Sequence, residues 1–107
     1  MLEKNPFDVF RRECPELAEQ FNNLVEVQRT SKALDPKTKQ LINIAIQAAT
    51  RNVRGVQMHA MMACKAGATR EEIVGAVVMT LHLTGLVTVL EALPAALAGI
   101  EEAHKKN

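Results

Sequence analysis

The residues best suited to chemistry lie in one stretch, RNVRGVQMHAMMACKAG, which runs from Arg51 to Gly67. It holds His59, whose imidazole can move a proton near neutral pH, and Cys64, whose thiol is a nucleophile only as the thiolate. Their five-residue spacing places the two side chains about 140° apart around a helix, so they diverge. The stretch predicts either a proton-transfer role or a structural role for His59, and a small buried side chain for Cys64.

Four neighbours of His59 could bind a carboxylate substrate. Asn52 and Gly55 lie about 20° and 40° from His59 on one helical face, and a small residue at position 55 leaves space beside the imidazole. Arg51 and Arg54 are the nearest basic residues that precede His59 in the sequence. The two arginines are candidate carboxylate partners, with solvated residues at a helix start as the alternative.

The cysteines predict no redox or metal site by their spacing. Cys14 and Cys64 are 50 positions apart and belong to no Cys-x-x-Cys pair or Cys/His metal motif. Such a pattern is typical of reduced thiols in a cytoplasmic protein. We therefore expect a cytoplasmic location and no disulfide.

The other histidines do not complete a metal site with His59. His82 lies in an apolar run and His104 in a charged tail, and no carboxylate cluster accompanies either one. We predict no metal and no cofactor. Glu91 is a lone acid in the apolar segment VLEALP, which places it at either an interface or a pocket.

Helix signals divide the chain into elements that would position these residues. Asp35 and Pro36 begin a long helix, Gly67 ends the one that carries His59, and Thr69 with Glu72 forms a capping box for the next. The apolar spacing predicts helices over residues 6–12, 15–31, 36–50, 53–65, 70–84 and 86–104. The fold class is all-α, with about five to six helices.

The 86–104 helix contains Pro94, which should kink or split it.

Together the predicted helices carry more apolar surface than a single subunit of this size can enclose. The 70–84 helix is apolar nearly all round. The first long helix carries a stripe of Leu17, Phe21, Leu24 and Val25. The surplus apolar faces predict a homo-oligomer.

Length and charge exclude several classes of protein. The chain has 107 residues, which fit a single domain over 1–107. Its 13 Lys and Arg against 12 Asp and Glu give a net charge of +1, with no basic cluster that would favour nucleic acid. No segment approaches the roughly 18 uncharged apolar residues of a membrane span. We expect neither nucleic acid nor a membrane as a partner.

The order of these elements resembles a known family. QLINIAIQAATRN, followed by His59 and then AMMACKAGATREEIVGAVV, is similar to the core of the carboxymuconolactone decarboxylase family, which includes the alkyl hydroperoxidase D-like proteins. The resemblance covers residues 33–90. It implies an all-helical subunit and a homo-oligomer, commonly a trimer or hexamer.

The resemblance also bears on the choice of chemistry. Family members that work as thiol peroxidases have a Glu, then Cys-x-x-Cys, then a His, at the places held here by Gln40, Asn52, Gly55 and His59. Only the histidine is kept, so peroxidase chemistry by that route lacks its nucleophile and its resolving thiol. Gln40 is either a pocket amide facing His59 or an ordinary polar residue of an exposed first turn.

The decarboxylase branch of the family lacks the cysteine pair and keeps the histidine. The resemblance therefore implies a cofactor-free decarboxylase, a carboxy-lyase acting on a small carboxylated lactone or related acid, with His59 as general acid or base. Gln40 is the second candidate catalytic residue. Two alternatives remain. One is an alkyl hydroperoxidase D-like, peroxiredoxin-type antioxidant that uses Cys64 or Cys14, and the other is a non-catalytic oligomer that binds a ligand.

Overall fold

The structure, a computed structural model, describes residues 5–105, and within that range all the regular structure is helical. Seven helices follow one another through short turns. They are α1 Pro6–Glu13, α2 Pro15–Arg29, α3 Pro36–Ala49, α4 Val53–Lys65, α5 Arg70–Val78, α6 Leu81–Thr84 and α7 Leu86–Lys105. The predicted all-α class is confirmed.

The contacts divide the chain into two units, and the first ends at Ala33. In this unit α1 packs against α2, and the rings of Phe10 and Phe21 meet edge to face with centroids 6.3 Å apart. Leu17 and Leu24, which belong to the predicted apolar stripe of α2, are 61% and 59% exposed. The helix is amphipathic as predicted, but much of its apolar stripe is not buried.

The second unit begins at Leu34 and contains the hydrophobic core. Helix α4 makes its most extensive contacts with α7 and with α3, while α5 packs on α3 and α7. The core residues are mostly small or β-branched, which lets the helices approach closely. They are Ile44, Ala48, Val56, Ala60, Ala63, Ile73, Val77, Val89, Ala92, Ala96 and Ile100.

The helix boundaries of the second unit follow the local signals. The Asp35 side chain accepts a hydrogen bond from the Thr38 N–H at 2.7 Å and caps α3. Gly67 adopts a φ of 97° after α4, a left-handed conformation that costs glycine little. Thr69 and Glu72 form both hydrogen bonds of the predicted capping box.

The predicted 70–84 helix is wrong as one element, since α5 ends at Val78 and α6 begins at Leu81. The Thr80 N–H bonds the Val77 carbonyl three residues back, and the Thr80 hydroxyl donates to the same oxygen at 2.7 Å. These bonds replace the regular helical pattern and end α5. Conversely, α7 runs without a break through Pro94, so the proline does not split it.

None of the helices within residues 5–105 is long and apolar enough to cross a membrane.

Candidate functional site

The candidate site lies where α3 and α4 pack against each other in the second unit. Asn52 begins α4 as its N-cap, and its side-chain oxygen accepts a hydrogen bond from the Gly55 N–H at 3.1 Å. Such a cap satisfies one of the backbone donors that a helix leaves unpaired at its start. Asn52, predicted as a substrate-binding residue, therefore has a structural task that fixes the start of the His59 helix.

His59 is half-buried on α4 and contacts the first turn of α3. Its Nδ1 atom lies 2.8 Å from Gln40 Oε1. Because an amide oxygen only accepts, Nδ1 carries the proton and donates it, and Nε2 keeps its lone pair. Gln40 was expected to be either an amide facing His59 or a polar residue of an exposed first turn. The structure shows that its amide faces His59.

The charge state of His59 follows from its burial. Desolvation lowers the pKa of the imidazole below its ordinary value of 6.5, because a partly buried ring loses hydration that would stabilise the cation. The amide of Gln40 carries no charge to offset this loss. His59 is therefore neutral at pH 7, with the Nε2 lone pair available for a proton.

The space beside Gly55 is filled, contrary to the expectation from its size. A Cβ atom at this position would lie 2.6 Å from both Cδ and Oε1 of Gln47, and 3.0 Å from Nδ2 of Asn52. Gln47 is seven residues after Gln40 and shares its face of α3. The absent side chain thus makes room for a second amide rather than for an open pocket beside the imidazole.

Arg51 occupies the turn between α3 and α4 in an unusual conformation. Its φ is 62°, and it alone among the described non-glycine residues has a positive φ. The Arg51 N–H bonds the Ala48 carbonyl at 3.0 Å, and the Asn52 N–H bonds the Gln47 carbonyl at 2.9 Å. These two bonds form a Schellman cap, whose left-handed position usually belongs to glycine.

The Arg51 side chain forms an ion pair with Glu91 of α7. Its Nε and Nη2 atoms donate to the two carboxylate oxygens of Glu91 at 2.9 and 2.6 Å. The hydrogen bonds raise the pKa of Arg51 and lower the pKa of Glu91. Glu91 is thus a partner of a predicted site residue, and a substrate carboxylate at Arg51 would have to compete with it.

Arg54 lies exposed in the first turn of α4. It precedes His59 by five residues, which places it about 140° away around the helix. Arg51, by contrast, lies in the turn before α4 and pairs with a carboxylate of α7.

Neither cysteine is in a disulfide, and each is partly buried. Cys64 lies on α4, where desolvation raises the pKa of its thiol. A raised pKa disfavours the thiolate that peroxidase chemistry needs. Cys14 lies between α1 and α2 in the first unit.

Within residues 5–105, His, Cys, Asp and Glu side chains form no group of three that could hold a metal ion. A shallow cavity of about 640 Å³ lies between the start of α5 and the second half of α7. Arg70, Pro94, Leu97, Ala98, Ile100, Glu101 and His104 line it. It contains none of the predicted site residues.

Sequence reasoning missed two contacts around the site. Gln47 could have been found by its seven-residue spacing from Gln40, which puts both amides on one face of α3. Glu91 was recognised as a lone acid in an apolar segment, but its partner is 40 residues away and no local signal identifies Arg51.

Two comparisons with known proteins identify the same protein family. A sequence model described as the carboxymuconolactone decarboxylase family matches residues 15–98. The chain is also similar to the crystal structure of apo-lpg0406, a carboxymuconolactone decarboxylase family protein from Legionella pneumophila, with 32% identity and a TM-score of 0.81. That match covers 92% of this chain and 88% of the other. The search of curated proteins found no match.

Proposed function

The chain belongs to the carboxymuconolactone decarboxylase family, and we propose that it is a cofactor-free decarboxylase of a small carboxylated lactone or related acid. His59 is its proton-transfer residue, and Gln40 positions the imidazole. The observation that carries the proposal is the 2.8 Å contact between His59 Nδ1 and Gln40 Oε1. It leaves Nε2 as the atom that exchanges a proton with a substrate.

The reaction needs a proton donor at the carbon that loses its carboxylate. When the bond to the carboxylate breaks, CO₂ leaves and the electron pair delocalises into the conjugated lactone. The protonated form of His59 delivers its Nε2 proton to that carbon, and the neutral ring then takes a proton from water. A lowered pKa makes the imidazolium a stronger acid while reducing its population at pH 7.

The substrate also needs a partner for its remaining carboxylate. Arg51 supplies it in this proposal, with the substrate carboxylate replacing Glu91 on the guanidinium, since two carboxylates cannot occupy the same bidentate site. Substrate binding would then release Glu91 of α7. The exposure of Arg51 and Glu91, 57% and 40%, gives a ligand access to the pair.

The raised pKa of Cys64 weighs against the antioxidant alternative. A peroxide reaction at this thiol would require a thiolate that burial disfavours, and within α4 no second cysteine lies near it to resolve a sulfenic acid. We therefore prefer proton transfer at His59 to thiol chemistry.

The test is release of CO₂ from carboxylated lactones by the purified protein. We expect His59→Gln to lower kcat by about 100-fold or more, as for loss of a general acid. His104→Gln is the matched control, because His104 is exposed at the end of α7, and it should retain wild-type activity.

Three outcomes would contradict the proposal. The first is turnover that His59→Gln leaves unchanged. The second is loss of turnover in His104→Gln alone, which would move the site to the cavity that His104 lines. The third is consumption of the Cys64 thiol by peroxide, seen by mass spectrometry, while no lactone is decarboxylated.

A further inference from the structure

The facing parts of α3 and α4 contain amide side chains but no charged ones. Residues 40–50 and 55–64 include no Asp, Glu, Lys or Arg. Gln40, Asn43 and Gln47 follow one another on α3 at spacings of three and four residues, within an arc of about 60° around the helix. All three are half-buried. One edge of α3 is therefore polar and uncharged.

Two of these amides reach α4. Gln40 Oε1 lies 2.8 Å from His59 Nδ1. The carboxamide of Gln47 reaches the backbone of Gly55, where a Cβ atom would lie 2.6 Å from its Cδ and Oε1 atoms. Because these are the atoms nearest that position, the Nε2 donor of Gln47 points away from it. Gly55 precedes His59 by four residues, so Gln47 meets α4 one helical turn before His59.

The imidazole of His59 and the carboxamide of Gln47 share this turn of α4. Side chains of a helix lean toward its N-terminus, so the ring of His59 extends over the turn that contains Gly55. The carboxamide of Gln47 reaches the same turn from α3. Because Gln40 binds Nδ1, a ligand that exchanges a proton with the ring approaches Nε2. Such a ligand lies next to the carboxamide of Gln47.

Gln47 also lies close to the turn that carries Arg51, the proposed partner of the substrate carboxylate. Its carbonyl accepts the Asn52 N–H of that turn at 2.9 Å. Along α3, Gln47 thus comes between the residue that contacts His59 and the turn with Arg51. A carboxamide donates and accepts hydrogen bonds without carrying charge. It suits the carbonyl oxygen of a lactone, which accepts hydrogen bonds and is itself uncharged.

We propose that Gln47 is a specificity-determining residue, whose Nε2 atom donates a hydrogen bond to the lactone carbonyl oxygen of the substrate. This inference rests on the proposed function, from which it takes the carboxylated lactone as the substrate. Arg51 binds the carboxylate, His59 exchanges the proton, and Gln47 distinguishes a lactone from a ring of carbon atoms alone. A ring without oxygen leaves the carboxamide without its partner, which weakens binding.

The experiment measures the binding of two small acids by isothermal titration calorimetry, so it does not depend on turnover. Paraconic acid is a saturated carboxylated lactone. Cyclopentanecarboxylic acid has the same ring size and carboxylate but no lactone oxygens. We expect the wild-type protein to bind paraconate about 3- to 10-fold more tightly, the range for one hydrogen bond between uncharged groups. Gln47→Met keeps the length of the side chain and removes its amide, so it should lose this preference and bind cyclopentanecarboxylate as wild type does.

Gln57→Met is the matched control. Gln57 is also a half-buried amide, but it donates to Glu102 of α7, so this variant should keep the preference for paraconate. Gly55→Ala is a second test, since its methyl group displaces the flexible end of Gln47 and leaves the amide in the chain. It should lower the preference as Gln47→Met does, and the double variant should show no further loss. Circular dichroism checks the fold of each variant.

The proposal is overturned if the wild-type protein binds neither acid or both equally, if Gln47→Met keeps the preference, or if Gln57→Met loses as much of it. These outcomes differ from failure of the proposed function. Release of CO₂ that depends on His59, with equal binding of the two acids, would remove the role of Gln47 alone. A preference for paraconate that requires Gln47, without release of CO₂ from any carboxylated lactone, would support the binding role and remove the decarboxylase.

Discussion

At the scale of single residues, the imidazole of His59 is held in one tautomer by the amide of Gln40. The contact fixes Nδ1 as the donor. An amide stabilises the imidazolium far less than a carboxylate would, so desolvation determines the direction of the pKa shift. The result is an imidazole that is neutral at pH 7 and whose protonated form is a stronger acid than an ordinary imidazolium.

The lowered pKa of His59 predicts how stability depends on pH. Above its ordinary value of 6.5 the ring is neutral in both the folded and the unfolded chain, and its full contribution to stability is present. As pH falls below that value the unfolded chain binds the proton first, so the free energy of unfolding decreases until the folded ring is itself protonated. Urea titrations across this range should show a smaller loss on acidification in His59→Gln than in wild type.

The control for this measurement is His104→Gln, which leaves His59 and Gln40 in place. Its free energy of unfolding should decrease on acidification as much as that of the wild-type protein, because His59 is the same in both. A His59→Gln protein with the wild-type dependence would show that burial of the imidazole does not affect its proton affinity.

Prediction from sequence at this scale left two interpretations of Gln40, a pocket amide facing His59 or a polar residue of an exposed first turn. The structure shows Gln40 and His59 in contact. No local signal indicated the left-handed backbone of Arg51, because this conformation usually belongs to glycine. Nor did the size of Gly55 show that Gln47 fills the adjoining space, because that depends on how two helices approach.

At the scale of elements, the position of α4 depends on its close approach to α7. A Cβ atom on Gly99 would lie 2.2 Å from the carbonyl oxygen of Gln57 and 2.9 Å from Ala60 Cβ. Gln57 also donates from Nε2 to Glu102 Oε1 at 3.2 Å. These contacts hold α4, and therefore His59, against α7.

We predict that Gly99→Ala destabilises the protein by about 1–3 kcal/mol or more, because the added methyl group meets backbone that cannot move without separating the helices. Gly75→Ala is a matched control in α5. A Cβ atom there meets nothing within 4 Å, so this variant should gain about 0.5–1 kcal/mol from the better helix propensity of alanine. Urea unfolding of the two proteins measures the difference. Equal effects would mean that the α4–α7 contact is not close-packed.

Helix boundaries were predictable where a side chain marks them. Asp35 with Pro36, Gly67, and Thr69 with Glu72 each mark a boundary through a local hydrogen bond or backbone preference, and each lies where expected. The break after Val78 was missed because the apolar pattern continues across it. At this break the Thr80 hydroxyl donates a hydrogen bond to the Val77 carbonyl. Hydrophobic spacing alone does not predict such a bond.

At the scale of the whole molecule, the core belongs to one of the two units. All its buried residues lie between Ile44 and Ile100, and the buried residue of α2, Ala18, is not among them. The contact between His59 and Gln40 and the pair of Arg51 with Glu91 lie in that same unit. The unit that contains the candidate site therefore has its own core.

This arrangement predicts that a chain beginning at Leu34 folds without the first unit. The fragment keeps helices α3 to α7 and the whole core cluster, and its length is in the range at which single domains still fold alone. We expect helical circular dichroism, one cooperative unfolding transition, and a melting temperature within about 10 °C of the full chain, a shift that corresponds to only one or two kcal/mol for a domain of this size. Gly99→Ala introduced into the fragment should lower its melting temperature as it does in the full chain, because the α4–α7 contact lies wholly within it. A fragment that is unfolded, or that melts without cooperativity, would show that residues 1–33 are required for the core to form.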